Sequence, residues 1–571
     1  MTDRPFEQLL PPEVQTLPGA LLYGLERGGR GITFHLREEG EVWLPLDHLH
    51  DSSVRRAGEL VAKEVKPGDA VGIVGPNSPE WITWAFAVWM VGGSLVPLPY
   101  PLRVRDREAF REQLRSLMDA AGAKLALGPD RFQDALPPGR RMDWSFEPVR
   151  SPAPLPDDRP EPSDTAVIQF TSGSTAFPKG AVLTHRAVIA ATRNFHLGFG
   201  EYDPENSRQC SWLPFFHDWG LFGQVVRPVV AGNQIDIMQT EMFARTPGKW
   251  LRLATQRRAR FLEAPPTAWQ GALRSALRNP EGIDLSNIQA VMMGAEPVSA
   301  EVVELLEDAG EVLGLARDSL HIGYGMAEVC LGLTSQHFGE PLRIDDVDLD
   351  QYVTNGRAVP VSGDGDQSPV KRVVSCGTPG PEVVLRIAAP GTSQELPERH
   401  VGEILAKAPS MMEGYLGLPD EDQPFIDGWL RTGDLGYIAE DELYVSGRIK
   451  DIVIVLGRNY APEDLEWAAE RVAGVRKGRT VAFAKPHGME GEVVIALEPE
   501  GAADPAALPF KVRQAVSDAV GLTPREVLVV AKGSIPKTTS GKVRRSALRE
   551  AYADGRLEVL ATAGETAPSL S

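Results

Sequence analysis

The chain is poor in cysteine, short of positive charge and without a long unbroken hydrophobic run, and each shortage excludes a class of protein. Its 571 residues hold three cysteines, Cys210, Cys330 and Cys376. They stand too far apart for a metal-binding motif or a disulfide framework, which fits a reducing compartment. Lys and Arg number 59 against 78 Asp and Glu, a net charge of −19. Such a surface opposes general binding to nucleic acid or to an anionic membrane, so neither is expected as a partner. The segment nearest to a membrane span, 81–98, carries no charge but is interrupted by Thr83, Gly92, Gly93, Ser94 and Pro97. It reads instead as a buried helix, 79–91, running into a strand at 94–99. Met1-Thr-Asp-Arg-Pro has an early acid and no apolar run behind it. No secretory signal is expected, and the chain is assigned to the cytoplasm.

What is present is ordinary globular material. With 42% hydrophobic and 24% charged residues, disordered, collagen-like and coiled-coil classes are excluded. At this length the chain divides into several core-sized units. Strand-like apolar runs at 70–74, 166–170 and 291–294 alternate with helical stretches such as 300–309, which predicts an α/β fold with largely parallel strands. From Gly447-Arg-Ile-Lys-Asp451 onward the pattern changes to short strands and helices. We expect a large α/β domain over 1–447, a link at 448–451 and a small α+β domain over 452–571.

One loop carries obvious chemistry. Thr171, Ser172, Gly173, Ser174 and Thr175, followed by Ala-Phe-Pro-Lys179-Gly180, lie between two apolar runs. Backbone N–H groups there can form an anion nest, hydroxyls can donate, and Lys179 supplies charge, so the loop suits a polyphosphate. It is not a Walker loop, because Lys179 is followed by glycine rather than Ser or Thr. Taken alone, it could equally be a solvated turn.

Four more segments follow in order: Gly323-Tyr-Gly-Met-Ala-Glu328, Arg431-Thr-Gly-Asp434-Leu-Gly-Tyr, Gly447-Arg448-Ile-Lys450-Asp and Pro536-Lys-Thr-Thr-Ser-Gly-Lys542. Together with the loop, they resemble the adenylate-forming superfamily over nearly the whole chain. That resemblance implies a large N-terminal domain, a small mobile C-terminal domain, and the reaction of a carboxylate with ATP to give an acyl-adenylate and pyrophosphate. It also implies residue roles. Thr171 to Lys179 would cradle the β- and γ-phosphates, and Glu328 would hold Mg²⁺. Gly294, Ala295 and Glu296 would wall the adenine, with Gly323, Tyr324, Gly325, Met326 and Ala327 opposite and Tyr324 stacked on the ring. Asp434 would take the ribose hydroxyls with help from Arg448, Lys542 would be the catalytic lysine, and Lys450 would be the hinge. His217 would belong to the substrate site; Asp218, on the opposite face of an extended segment, would be structural.

Within the superfamily the chain is most similar to the fatty acyl-AMP ligases. Ala176 in the phosphate loop, Leu213-Pro-Phe-Phe-His217-Asp218 and Gly457-Arg-Asn-Tyr-Ala-Pro resemble that branch, and Glu328 and Cys376 stand 48 positions apart. The extra stretch, about 350–372, reads as an insert too polar to build core. In this branch such an insert is expected to hinder the rotation that accepts CoA. The implied acceptor is then the phosphopantetheine thiol of an acyl carrier protein, met by a basic patch of Arg471, Arg476, Lys477 and Arg479. The alternatives are an acyl-CoA synthetase, an amino-acid adenylation enzyme and a non-catalytic homologue. Two departures from the branch, Trp219 and the run Ala264-Pro-Pro-Thr-Ala-Trp269, place indoles that are either plain core or walls that shorten the acyl pocket.

Overall fold

The computed structural model describes residues 10–101, 106–144, 154–155, 160–171, 178–197 (side chains to 194), 208–337, 339–361, 369–485, 492–537 and 542–564. Two sheets with parallel centres carry the large domain. One has seven strands in the order Gly414–Tyr415, Gly180–Thr184, Thr165–Phe170, Ser94–Leu98, Ala70–Val74, Leu125–Gly128 and Arg141–Asp143. It is antiparallel at the first end and parallel from Thr165–Phe170 onward. The other has nine strands, and its parallel centre includes Gly31–Leu36, Gln234–Met238, Phe261–Glu263, Ala290–Met293 and Leu320–Gly325. This is the α/β architecture expected from the alternation of apolar runs.

The uncharged stretch near residue 81 is core. Ser78 caps the helix Pro79–Met90 by accepting the Trp81 N–H at 3.3 Å, and Pro79 opens its first turn. Every residue from Trp81 to Trp89 is buried, and the following strand Ser94–Leu98 is buried throughout, as a parallel strand covered on both faces should be. No helix among the described residues is long and apolar enough to cross a membrane.

A five-stranded antiparallel sheet built on Trp429–Ala439 leads into the C-terminal unit. That unit is a four-stranded sheet, Val475–Ala484, Val493–Pro499, Glu526–Val530 and Val559–Ala563, with helices Pro462–Glu470, Leu508–Val520 and Arg545–Ala553. The insert differs from the sequence expectation. Strands Ile344–Asp348 and Val370–Val374 pair as a hairpin, with helix Leu349–Asn355 on the connection. Tyr352, Val353, Ala358 and Val373 are buried in one core cluster with Val453, Tyr460 and Leu465 of the small domain. The polar count misled because a few apolar side chains, Tyr352, Val353 and Ala358 among them, are enough to build core; the most polar part, 362–368, lies outside the described residues. Ion pairs complete the junction: Lys371 to Asp464, and Arg458 to Asp350 at 3.0 Å, with the Tyr352 hydroxyl donating to Ser446.

His185 fastens the N-terminal helix Leu17–Glu26 to the seven-stranded sheet. Its Nδ1 accepts the Leu17 N–H at 3.2 Å, and the side chain has no exposed surface. Burial pushes its pKa down from 6.5 to about 4, against a small opposing pull from Asp164. The unfolded chain therefore binds one more proton than the native one between pH 6.5 and pH 4, and stability falls as pH drops through that window. Urea unfolding should show the native protein losing on the order of 3 kcal/mol more than His185→Gln across that window. Equal pH slopes for the two proteins would mean that His185 titrates normally.

Candidate active site

An open cavity lies at the carboxyl ends of strands Ala290–Met293 and Leu320–Gly325, the position where α/β sheets commonly bind ligands. Gly294, Ala295, Gly323, Tyr324, Gly325 and Met326 line it. The backbone here is crowded: a Cβ on Gly325 would stand 1.8 Å from the Leu331 carbonyl oxygen, so no other residue fits. Ala295 holds φ at +64°, a left-handed value that costs a residue with a Cβ roughly 1 kcal/mol.

Three of the sequence-selected residues meet directly. Tyr324 donates from its hydroxyl to Asp434 Oδ2 at 2.8 Å, and Arg448 Nε lies 3.1 Å from Asp434 Oδ1. Asp434 is 6% exposed, and its own N–H is taken by Thr432 Oγ1 at 3.1 Å. Burial and the Asp434 charge push the Tyr324 hydroxyl well above its usual range, so it stays a donor. The Asp434 charge also holds Arg448 firmly protonated.

A second group forms around Glu328, in the short turn Ala327–Val329. Its Oε1 accepts the Tyr415 hydroxyl at 2.5 Å, and the Lys179 ammonium stands over the Tyr415 ring, 4.8 Å from its centre. Burial pushes the Glu328 carboxyl up, and the Tyr415 bond pulls against it. Among the described residues Glu328 has no ion-pair partner, and no cluster of three His, Cys, Asp or Glu side chains could hold a metal unaided. One buried carboxyl group without a salt bridge fits Mg²⁺, which takes one or two carboxylates and completes its shell with substrate phosphates. Sequence reasoning missed Tyr415. Gly414–Tyr415 reaches the site by pairing with Gly180–Thr184, the strand that leaves the phosphate loop, and so long-range a pairing leaves no local mark.

The loop's neck is closed by the Thr171 N–H bonding to the Lys179 carbonyl at 2.9 Å; Ser172, Gly173, Ser174 and Thr175 lie outside the described residues. His217 and Asp218 do not face opposite ways. The chain turns there into the π-helical segment Trp219–Val226, Asp218 caps it through the Trp219 N–H at 2.7 Å, and His217 Nδ1 pairs with Asp218 Oδ1. Asp218, expected to be structural, lines the cavity, whereas His217 is not among its lining residues. Burial penalises the Asp218 carboxylate, but His217, then Lys542 and the Trp219 N–H, outweigh it and hold it below the usual range. Lys542 of the small domain thus sits close enough for its charge to act on the cavity wall.

Other expected residues are elsewhere. Glu296 turns away to accept from Thr267 Oγ1 at 2.8 Å, and its side chain does not line the cavity. The basic patch is already committed. Arg476 and Arg479 share the fully buried Glu498, Arg471 pairs with Glu301 of the large domain, and the Lys477 ammonium donates to the Glu470 carbonyl. At the link, burial and the neighbouring Arg448 hold Lys450 below the usual lysine range. Just beyond, Arg545 reaches Asp451 at 3.4 Å, Glu463 at 3.1 Å and Glu466 at 2.7 Å. The start of the last helix, three residues after Lys542, is thereby fixed to the link and to helix Pro462–Glu470.

Two parallel-centred sheets, a cavity at their strand ends and a small C-terminal domain are the architecture of the adenylate-forming enzymes. The family model described as AMP-binding enzyme matches residues 33–416, and the chain belongs to that family. It is 32% identical to a provisionally assigned acyl-CoA synthetase of Caulobacter vibrioides, over 92% of this chain and 94% of that one. It is 29% identical, over 96% of both chains, to the medium-chain-fatty-acid–[acyl-carrier-protein] ligase JamA of Moorena producens. A solved structure from work on fatty acyl-adenylate ligases of E. coli and L. pneumophila superposes with a TM-score of 0.86 at 28% identity, covering 95% of this chain and 98% of that one. The resemblance to the adenylate-forming superfamily, and within it to the fatty acyl-AMP ligases, is thereby borne out.

The Glu328–Tyr415 bond gives a direct test. Tyr415→Phe removes the interaction that opposes burial, so the Glu328 carboxyl should titrate higher. The acid limb of Mg²⁺–nucleotide binding should then move upward by about one pH unit, given about 1.5–3 kcal/mol for a hydrogen bond to a charged group. An unmoved limb in calorimetric titrations would separate Glu328 from cation binding.

Proposed function

We propose that the protein activates a fatty acid with ATP, forming acyl-adenylate and pyrophosphate, and then passes the acyl group to the phosphopantetheine thiol of an acyl carrier protein. The observation that carries the first step is that Tyr324, which lines the cavity, meets Asp434 and Arg448, while Glu328, two residues past the lining Met326, meets Tyr415 with Lys179 over its ring. The carboxyl oxygens of Asp434 suit ribose hydroxyls, and Tyr324 offers its ring to the adenine. Lys179 and the loop it closes, 171–180, suit the β- and γ-phosphates. A carboxylate oxygen of the acid then bonds to the α-phosphorus as the bond to the pyrophosphate oxygen breaks. Lys542 would neutralise the charge that develops there. Mg²⁺, when bound, supplies Lewis-acid stabilisation of the phosphate oxygens.

The carrier rather than CoA as acceptor is favoured by the insert. Its hairpin and helix share a core with the small domain and are ion-paired to it through Lys371 and Asp350. Rotation of the small domain about Lys450, within 448–451, would have to break those contacts. The free energy for this has to come from the acceptor, and a folded carrier offers more surface than a small thiol.

Lys542→Ala should lower pyrophosphate release about 10²–10³-fold, as for the loss of one transition-state donor. Normal release would remove Lys542 from the chemistry. Lys450→Pro should depress transfer to carrier far more than adenylation, because fixing φ at a hinge blocks the rotation. Losing one partner of a largely buried ion pair costs up to about 3–5 kcal/mol. Lys371→Ala should therefore raise acyl-CoA formation at least about 10-fold. Efficient acyl-CoA synthesis by the unaltered protein would instead make it an acyl-CoA synthetase.

A further inference from the structure

Trp219 is the cavity-lining residue with the most elaborate support. Its indole N–H donates to Glu263 Oε2 at 2.7 Å, and Gln224 Nε2 donates to the same oxygen at 2.6 Å. The other oxygen of Glu263 takes the Arg227 guanidinium, and both members of that pair are 3% exposed. Arg227 is anchored again through Nε to the Gly223 carbonyl at 3.2 Å. Sterics add a second restraint. A Cβ on Gly223 would fall 2.9 Å from Trp219 Cδ1, so the indole lies flat on the next turn of its own π-helical segment, and only glycine permits it. Turning the indole aside would leave a buried carboxylate short of a donor.

The position of that ring matters. Its far edge, Cη2, comes within 3.8 Å of where a Cβ on Gly294 would stand, beside the wall assigned to the adenine. Behind it the space is filled. Trp212 stacks on Phe243 with ring centres 3.6 Å apart, and Trp250 packs on Trp269 at 4.7 Å, all buried in the core cluster that contains Trp219. None of those four rings is among the residues lining the cavity, so on this side the indole of Trp219 stands between the cavity and the packed core. Of the two indoles noted in the sequence, Trp219 is the wall and Trp269 is core.

We infer that Trp219, held by the buried Glu263–Arg227 pair, closes the acyl end of the pocket and confines the substrate to short- and medium-chain carboxylic acids. On this reading a long unbranched acid would meet the indole and the packed rings behind it. This rests on the reading of the cavity as the site of acyl-adenylate formation.

The test is pyrophosphate release with butyrate, hexanoate, octanoate, laurate and palmitate as separate substrates, for the native enzyme and for Trp219→Met and Trp219→Leu. A single methylene in a restrictive pocket is worth roughly 10–200-fold in kcat/KM. The native enzyme should thus prefer hexanoate or octanoate to palmitate at least about 10-fold. Both variants should raise the laurate-to-octanoate ratio by a similar factor through KM for the acid, with KM for ATP little changed. A native profile that is flat from octanoate to palmitate, or a laurate ratio unmoved in both variants, overturns the assignment of Trp219 while leaving acyl activation standing. Release with none of the five acids overturns the proposed function and this inference with it.

Discussion

Asp434 is the point on which the rest of the site depends. A carboxyl group buried that deeply needs partners for its oxygens, and here a tyrosine from the nine-stranded sheet and an arginine from the edge of the link supply them together. The strand Trp429–Ala439 that carries it pairs directly with Glu442–Arg448, with Asp434 opposite Arg448 in register. The groups that suit a ribose, the end of the large domain and the start of the small one are therefore organised by a single side chain. Any movement of the link is felt by Arg448 and so at Asp434.

The junction between the domains follows the same logic in apolar form. Tyr437 and Tyr444 stack with ring centres 4.9 Å apart, Tyr352 of the insert packs edge-on to Tyr437, and the Tyr437 hydroxyl donates to Asp345 at 2.8 Å. Asp345 also receives Arg399 at 2.8 Å. The insert is thus built into the body of the molecule by aromatic packing before its ion pairs to the small domain are counted. Lys371, whose ammonium also lies over the Tyr352 ring, belongs to both arrangements.

Much of this was legible in the amino-acid order. The alternating runs predicted parallel strands, the change of pattern near Gly447 coincides with the passage from one sheet system to another, and Tyr324, Asp434 and Arg448 were selected from motifs and meet in space. What escaped has a common physical cause. Tyr415, Glu263 and Gln224 reach their partners across long sequence separations, and the signal for each resides in a partner strand or helix. Asp218 escaped for a local reason: the turn into a π-helical segment reversed the facing that an extended chain would impose. The insert was misjudged because composition averages over faces, whereas burial needs only one face. For the basic patch, counting charges overlooked Glu498, a fully buried acid that pairs with two of the arginines.

Arg545 has a mechanical meaning. By gripping Asp451, Glu463 and Glu466 at once, it makes the link, the first helix of the small domain and the segment behind Lys542 into one rigid lever. On the proposed two-step reaction, a lysine mounted on such a lever would be engaged or swung out whole, and the two half-reactions would alternate as strokes. A substitution anywhere along the lever would then alter the timing between strokes rather than the chemistry of either one.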